Sequence, residues 1–207
     1  MRNIKQEGII WGQILAFIAI WSTVLFVTNT PLRINIEALR KLPEVVTVYT
    51  VLFLIFRKWL WRIPQLQGWL IPFPDLQGTW EGTLQTTWEN PKTKKNPRPI
   101  SLVLVIRQSF DSISCVMYTK ESTSHSTAAS FLKEDDSGIK RLTYNYSNRP
   151  DVAIRDRSAV HDGAAILTIS SKPRRKLEGE YWTNRKTTGN INVKFKTREL
   201  SEAFPEV

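Results

Sequence analysis

The pattern of apolar and polar positions divides the chain in two. Residues 9–27 (IIWGQILAFIAIWSTVLFV) contain no Asp, Glu, Lys or Arg, and their polar side chains are Gln13, Ser22 and Thr23. As a helix this run is roughly 28 Å long, close to the hydrocarbon thickness of a bilayer. A second run, residues 45–56 (VVTVYTVLFLIF), is too short to span alone. With residues 42–44 before it and 57–61 after it, the element reaches about twenty residues and can span if its end charges snorkel. A cleaved signal peptide is disfavoured, because the first run is long, lacks a small-x-small site and precedes a second apolar run. The expectation is a transmembrane helical hairpin over residues 1–62.

The linker at 28–43 begins as a turn and then alternates Leu32, Ile34, Ile36 and Leu39 with Arg33, Glu37, Arg40 and Lys41. That pattern suits the membrane surface. Residues 59–74 (WLWRIPQLQGWLIPFP) carry three Trp, which favour the head-group zone. Pro64, Pro72 and Pro74 exclude a continuous helix there. Residues 63–76 are read as an interfacial linker.

From Gln77 onward the period is two. Eight candidate strands follow, at 78–88, 100–108, 112–121, 125–133, 139–147, 163–171, 176–184 and 190–198. Turn signals fall at Phe110-Asp111, Ser122-Thr123, 135–138 (DDSG), 172–175 (KPRR) and 185–189. No convincing amphipathic helix follows Pro74. The predicted architecture is membrane-anchored and all-β: two N-terminal transmembrane helices, then an eight-stranded antiparallel up-and-down barrel at 77–200 and a tail at 201–207. A sandwich is the alternative.

Alternation also assigns faces. Trp80, Gly82 and Leu84 share one parity, as do Leu142, Tyr144 and Tyr146. Leu177, Gly179, Tyr181 and Thr183 form a third set, and Ile191, Val193 and Phe195 a fourth. The opposite parity carries Glu81, Gln85, Arg141, Thr143, Glu178, Glu180, Lys194 and Lys196, so the first sets should point inward. Inward aromatics suit either an ordinary core or a small ligand held in a barrel mouth.

Charge sharpens this picture. The formal net charge is +10, from 29 Lys and Arg against 19 Asp and Glu. The excess is shared between the apolar half and the rest, so anionic partners suit both: lipid head groups for one, a phosphate-bearing ligand for the other. Arg2, Lys5, Arg57, Lys58 and Arg62 outnumber Arg33, Arg40 and Lys41 of the linker, which favours cytoplasmic termini and a cytoplasmic barrel. The single cysteine, Cys115, excludes an internal disulfide and cysteine-based zinc sites.

Catalytic constellations are missing from the sequence. His125 and His161 stand apart, and no metalloprotease, nucleophile-elbow, phosphate-loop or zinc spacing occurs. An enzyme is disfavoured, and no cofactor or metal is expected. What remains are arginines, Asn and Thr hydrogen-bonding groups and aromatic faces, a set that recognises a nucleotide. They concentrate at 144–157 and 179–189. Trp80, Tyr144, Tyr146 and Tyr181 are candidates for stacking or hydroxyl contacts. Arg149, Arg155, Arg157 and Arg185 are candidates for phosphate, and Thr183 and Asn184 for base edges. On composition alone both segments read slightly better as polar hairpin ends.

The whole order of features resembles the two-transmembrane β-barrel effectors of bacterial CBASS anti-phage systems, which partner cGAS/DncV-like nucleotidyltransferases. The resemblance lies in the paired N-terminal helices, the aromatic collar, GTWEG at 78–82 and GEYWTNR at 179–185 leading to Gly189. It reaches to about Leu200. It implies a barrel that binds a cyclic dinucleotide, no polymeric nucleic acid as partner, and homo-oligomerisation of the helices in the lipid bilayer. Disruption of the bacterial inner membrane and abortive infection would follow. The site residues above come from face assignment and loop chemistry, not from the family. The alternatives are a lipocalin-like anchored carrier of an apolar molecule and a non-binding membrane scaffold.

Overall fold

The computed structural model describes residues 6–67, 70–71, 73–90, 93–133, 138–170 and 175–205. The predicted turns at 135–137 and 172–174, and Trp69 and Pro72 of the collar, lie outside them. The chain divides into two compact units, Met1–Pro74 and Asp75–Val207.

The first unit is helical. α1 is Gln6–Val27, α2 is Ile36–Arg40 and α3 is Leu42–Lys58. Asn35 caps α2, its Oδ1 accepting from the Ala38 N–H at 2.7 Å. Lys41 pairs with Glu44 in the first turn of α3 at 2.9 Å, and Arg57 and Lys58 occupy the last turn, as the helix dipole favours. Phe17 of α1 meets Tyr49 of α3 edge to face, with centroids 6.0 Å apart. The predicted amphipathic linker is helical only over α2. The second apolar element does not reach Trp61 as one helix: α3 stops at Lys58, and short 3₁₀ turns follow at Leu60–Arg62 and Pro64–Leu66. Among the described residues no helix is long and apolar enough to cross a membrane.

The second unit is a closed antiparallel barrel of eight strands in sequence order: β1 Gly78–Thr86, β2 Ile100–Gln108, β3 Ile113–Thr119, β4 Ser122–Lys133, β5 Lys140–Pro150, β6 His161–Ser170, β7 Lys176–Thr183 and β8 Thr188–Thr197. β8 closes on β1 through pairs such as Glu81–Lys194 and Leu84–Ile191. Closure gives every strand a neighbour on both sides, although the β3–β4 ladder is short, Val116–Tyr118 against Thr123–His125, and the Cys115 N–H donates to Ser126 Oγ at 2.9 Å.

Period two turns into burial as expected. Trp80, Leu84, Leu142, Tyr144, Tyr146, Leu177, Tyr181, Ile191 and Val193 are buried together inside, with Leu102, Leu104 and Ile106 of β2 and Leu167 of β6. Glu178, Glu180, Lys194 and Lys196 face out. The dense apolar run of β2 is buried from Leu102 through Ile106 on both faces.

One turn falls earlier than the sequence suggests. Ser122-Thr123 is not the turn before β4 but its first two residues, paired with Pro150 and Arg149. The reversal is at 120–121, where the Thr119 and Ser122 hydroxyls meet at 3.0 Å and the Ser122 N–H donates to Thr119 Oγ1 at 3.1 Å. Ser and Thr serve turn and strand alike, so composition alone does not separate the two.

The topology sorts the connections. Those after β1, β3, β5 and β7 gather at one end, here the upper rim. The chain's entry at Asp75 and the connections after β2, β4 and β6 gather at the base. Both long loops, 87–99 and 151–160, therefore belong to the upper rim.

Candidate functional site

Tyr146 and Tyr181 sit just inside the upper rim, on β5 and β7. Each lies against a strand that carries glycine where it passes. A Cβ added at Gly163 of β6 would come within 2.6 Å of the Tyr146 ring and hydroxyl, and one at Gly189 of β8 within 2.6 Å of the Tyr181 ring. Glycine at these two places is what lets the phenol rings approach the neighbouring strands so closely. Tyr144 is one step deeper on the same face of β5, its ring centroid 6.0 Å from that of Tyr146. Burial raises the pKa of all three phenols, so they are neutral hydroxyls able to donate and accept. The Tyr181 hydroxyl finds the Thr86 side chain.

Thr183 ends β7 as a turn-former. Its Oγ1 meets Thr187 Oγ1 at 2.6 Å and accepts from the Arg185 and Thr187 N–H groups at 3.2 and 3.3 Å. The hydroxyl is committed to the hairpin. Asn184 is exposed beside it, and its N–H donates to the Asp162 carbonyl at 3.0 Å. Arg185 reaches across to the β5–β6 loop. Its guanidinium donates to the Ala159 carbonyl at 3.3 Å and to His161 Nε2 at 3.4 Å. His161 Nδ1 lies 3.0 Å from the same Ala159 carbonyl, which can only accept. The proton therefore sits on Nδ1, and Nε2 offers its lone pair to Arg185. Burial lowers the pKa of His161, and the adjacent Arg185 charge lowers it further.

Arg155 stays on the rim, its Nε donating to the Pro150 carbonyl at 3.2 Å. Arg157 forms an exposed ion pair with Glu121 of the β3–β4 turn at 2.6 Å. Arg149 falls on the outward parity of β5, exposed between buried Asn148 and Pro150, so it can reach a ligand only over the lip. The upper rim thus brings together Tyr146, Tyr181, Thr183, Asn184, Arg155, Arg157 and Arg185, with Tyr144 beneath.

Trp80 is not among them. It lies toward the base, 0% exposed, its indole N–H donating to the Leu76 carbonyl at 3.0 Å. Phe195 meets it edge on at 5.4 Å, and the Arg175 guanidinium stacks 5.4 Å from its ring. Trp80 closes the floor of the barrel.

The structure adds Asn148, which sequence reasoning missed. It is buried and inward, and its Nδ2 donates to Ser122 Oγ at 3.1 Å and Ser124 Oγ at 2.8 Å. The signal existed: Asn148 continues the parity of Leu142, Tyr144 and Tyr146. The sequence pattern ends β5 at Ser147, three residues short of Pro150, and so leaves Asn148 in the loop.

The interior is thus polar and hydroxyl-rich near the rim and apolar below. The family model for the Cap15 cyclic dinucleotide receptor domain matches residues 71–195, from just before β1 to Phe195 of β8. The chain belongs to this family. It is also similar to two curated proteins called CD-NTase-associated protein 15. With the one from Staphylococcus schleiferi it shares 25% identity over 154 residues, 72% of this chain and 75% of that protein. With the one from Escherichia albertii it shares 24% over 148 residues, 71% and 73% of the respective chains. The family match takes in every strand and both tyrosine-bearing walls, and it leaves α1 and α3 outside.

Proposed function

We propose that this protein is a CBASS effector whose barrel binds a cyclic dinucleotide at the upper rim and whose helical unit delivers the response. The observation that carries the reading is the convergence, at one end of a receptor-family barrel, of two inward tyrosines with Arg155, Arg157 and Arg185. Aromatic faces take bases and guanidinium groups take phosphates. The neutral phenols and the buried Asn148 supply hydrogen bonds without adding charge.

The same reading makes the helices the output. The uncharged run at 9–27 supports bilayer insertion, and the large apolar side chains Trp11, Leu15 and Phe26 of α1 and Val51 and Leu54 of α3 are exposed in the single chain. Ligand binding would favour a homo-oligomeric state of these helices, and their assembly would disrupt the inner membrane and abort the infection. A ligand can do so only through its differential affinity for the two states. The barrel would face the cytoplasm, where a cGAS/DncV-like nucleotidyltransferase makes the ligand. The barrel serves as receptor rather than catalyst. An apolar cargo is a poorer fit, because Trp80, Leu104, Leu142, Leu167 and Leu177 already fill the lower interior.

Titration calorimetry of the full chain against a panel of cyclic dinucleotides tests the receptor reading, and saturable binding to at least one member is expected. Dye release from liposomes carrying the protein tests the output, which should need that same ligand. Absence of binding across the panel would refute the reading.

A further inference from the structure

Tyr144 differs from the other two phenols. Its hydroxyl is fully enclosed and has no hydrogen-bond partner among the described residues. Among buried side-chain polar atoms of the described barrel it stands alone in this, since the other such atom, the Trp21 indole nitrogen, belongs to α1. An enclosed hydroxyl without a partner costs free energy that a phenylalanine would not. Less than a water's contact area is open to it, so solvent does not satisfy it either. Such a group either persists as a defect or finds its partner in another state of the molecule.

Its surroundings define that partner. Tyr144 stands among Cys115, Leu142, Ala165 and Tyr146, and no Lys or Arg is buried among the described residues. A phosphate brought here would lose its water and meet no counter-charge, which is prohibitive. A nucleobase is different. It is flat and neutral, and its edge carries donors and acceptors that a phenol can meet. The arginines stand at the rim, where phosphates can stay hydrated. Tyr146 follows Tyr144 toward the rim on the same face of β5, their ring centroids 6.0 Å apart, and its ring rests against Gly163 with no side chain between.

We infer that the ligand enters base first: one nucleobase displaces the Tyr146 ring, descends into the barrel and gives the Tyr144 hydroxyl its missing hydrogen bond, while the phosphates remain with the rim arginines. Tyr144 is then a determinant of which base is accepted, and Arg185 of affinity common to every cyclic dinucleotide. This rests on the receptor reading and goes further, because it fixes the orientation of the ligand and assigns base selection to one hydroxyl.

The test compares wild type, Tyr144→Phe and Arg185→Ala as full chains, each titrated with cyclic dinucleotides covering the pairings of the four common bases. Thermal melting is recorded alongside. Tyr144→Phe is expected to melt at or above the wild-type temperature, since it deletes an unpaired hydroxyl. It should bind the preferred ligand about tenfold more weakly, the worth of one buried hydrogen bond, and should flatten the ranking among bases. Arg185→Ala should weaken all members by a common factor and keep the ranking. If wild type binds a member and Tyr144→Phe keeps both its affinity and its ranking, the base-first orientation is wrong while the receptor reading stands. If Tyr144→Phe melts well below wild type, the hydroxyl has a partner in the free barrel and the inference falls. If wild type binds no member, the receptor reading fails, and this inference with it.

Discussion

The ring of Tyr146 occupies the space that a side chain at residue 163 would need. An added Cβ on Gly163 would lie 2.6 Å from the phenol and 2.5 Å from the Trp182 backbone oxygen, so one obstacle could rotate away and the other could not. A single glycine on β6 thus sets how a tyrosine on β5 is presented at the mouth of the barrel.

Gly163→Ala should therefore destabilise the barrel by about 1–3 kcal/mol through overpacking. It should also tilt Tyr146 and change cyclic dinucleotide affinity. Urea denaturation and calorimetry read the two effects separately. Wild-type stability would show that β6 has room the structure does not give it.

Cys115 is buried on β3 among apolar neighbours, and burial pushes its thiol up to about 12. Thiolate is the reactive form. At pH 8 the folded chain should resist thiol reagents, and one thiol per chain should react in denaturant. Rapid labelling of the native protein would mean that the barrel wall at β3 opens easily.

His161 titrates below its ordinary value, chiefly because it is half-buried and also because Arg185 donates to its Nε2. A histidine with a lowered folded pKa stabilises the fold fully above its unfolded value of about 6.5, and the contribution is lost as pH falls through the folded value. The stability difference between wild type and His161→Gln should accordingly be constant from pH 8 to 7 and shift against wild type toward pH 5. Chemical denaturation across that range measures it. A difference independent of pH would mean that folding does not lower the His161 pKa.

Trp80→Phe keeps a ring beneath Arg175 but strips the Leu76 carbonyl of its indole partner. The expected loss is about 1–3 kcal/mol of stability with affinity for the rim ligand unchanged. Reduced affinity at wild-type stability would instead return Trp80 to the binding site.

Strand number, antiparallel order and inward faces were legible along the chain, because side chains alternate strictly with backbone direction and each strand reports its own parity. The inward sets on β1, β5, β7 and β8 needed only local spacing. Strand ends were less legible. Ser122 and Thr123 suit a turn and a strand equally, and Asn148 reads as loop chemistry until the strand is known to run on to Pro150. Arg149 illustrates the same limit, since its neighbourhood is that of the site while its parity points outward.

The sequence by itself determined an apolar, helical N-terminal part, a period-two remainder and the set of residues that face inward, since these follow from residue type and local backbone geometry. Only the tertiary structure decided which of those residues meet. Closure of β8 on β1 sets the two ends of the barrel and so separates Trp80 from Tyr146 and Tyr181. Contacts across long stretches of chain, such as Arg175 with Trp80 and Arg185 with His161, depend on how strands lie beside one another. The unpartnered hydroxyl of Tyr144 belongs to the same class, because whether a buried group has a partner depends on every wall around it.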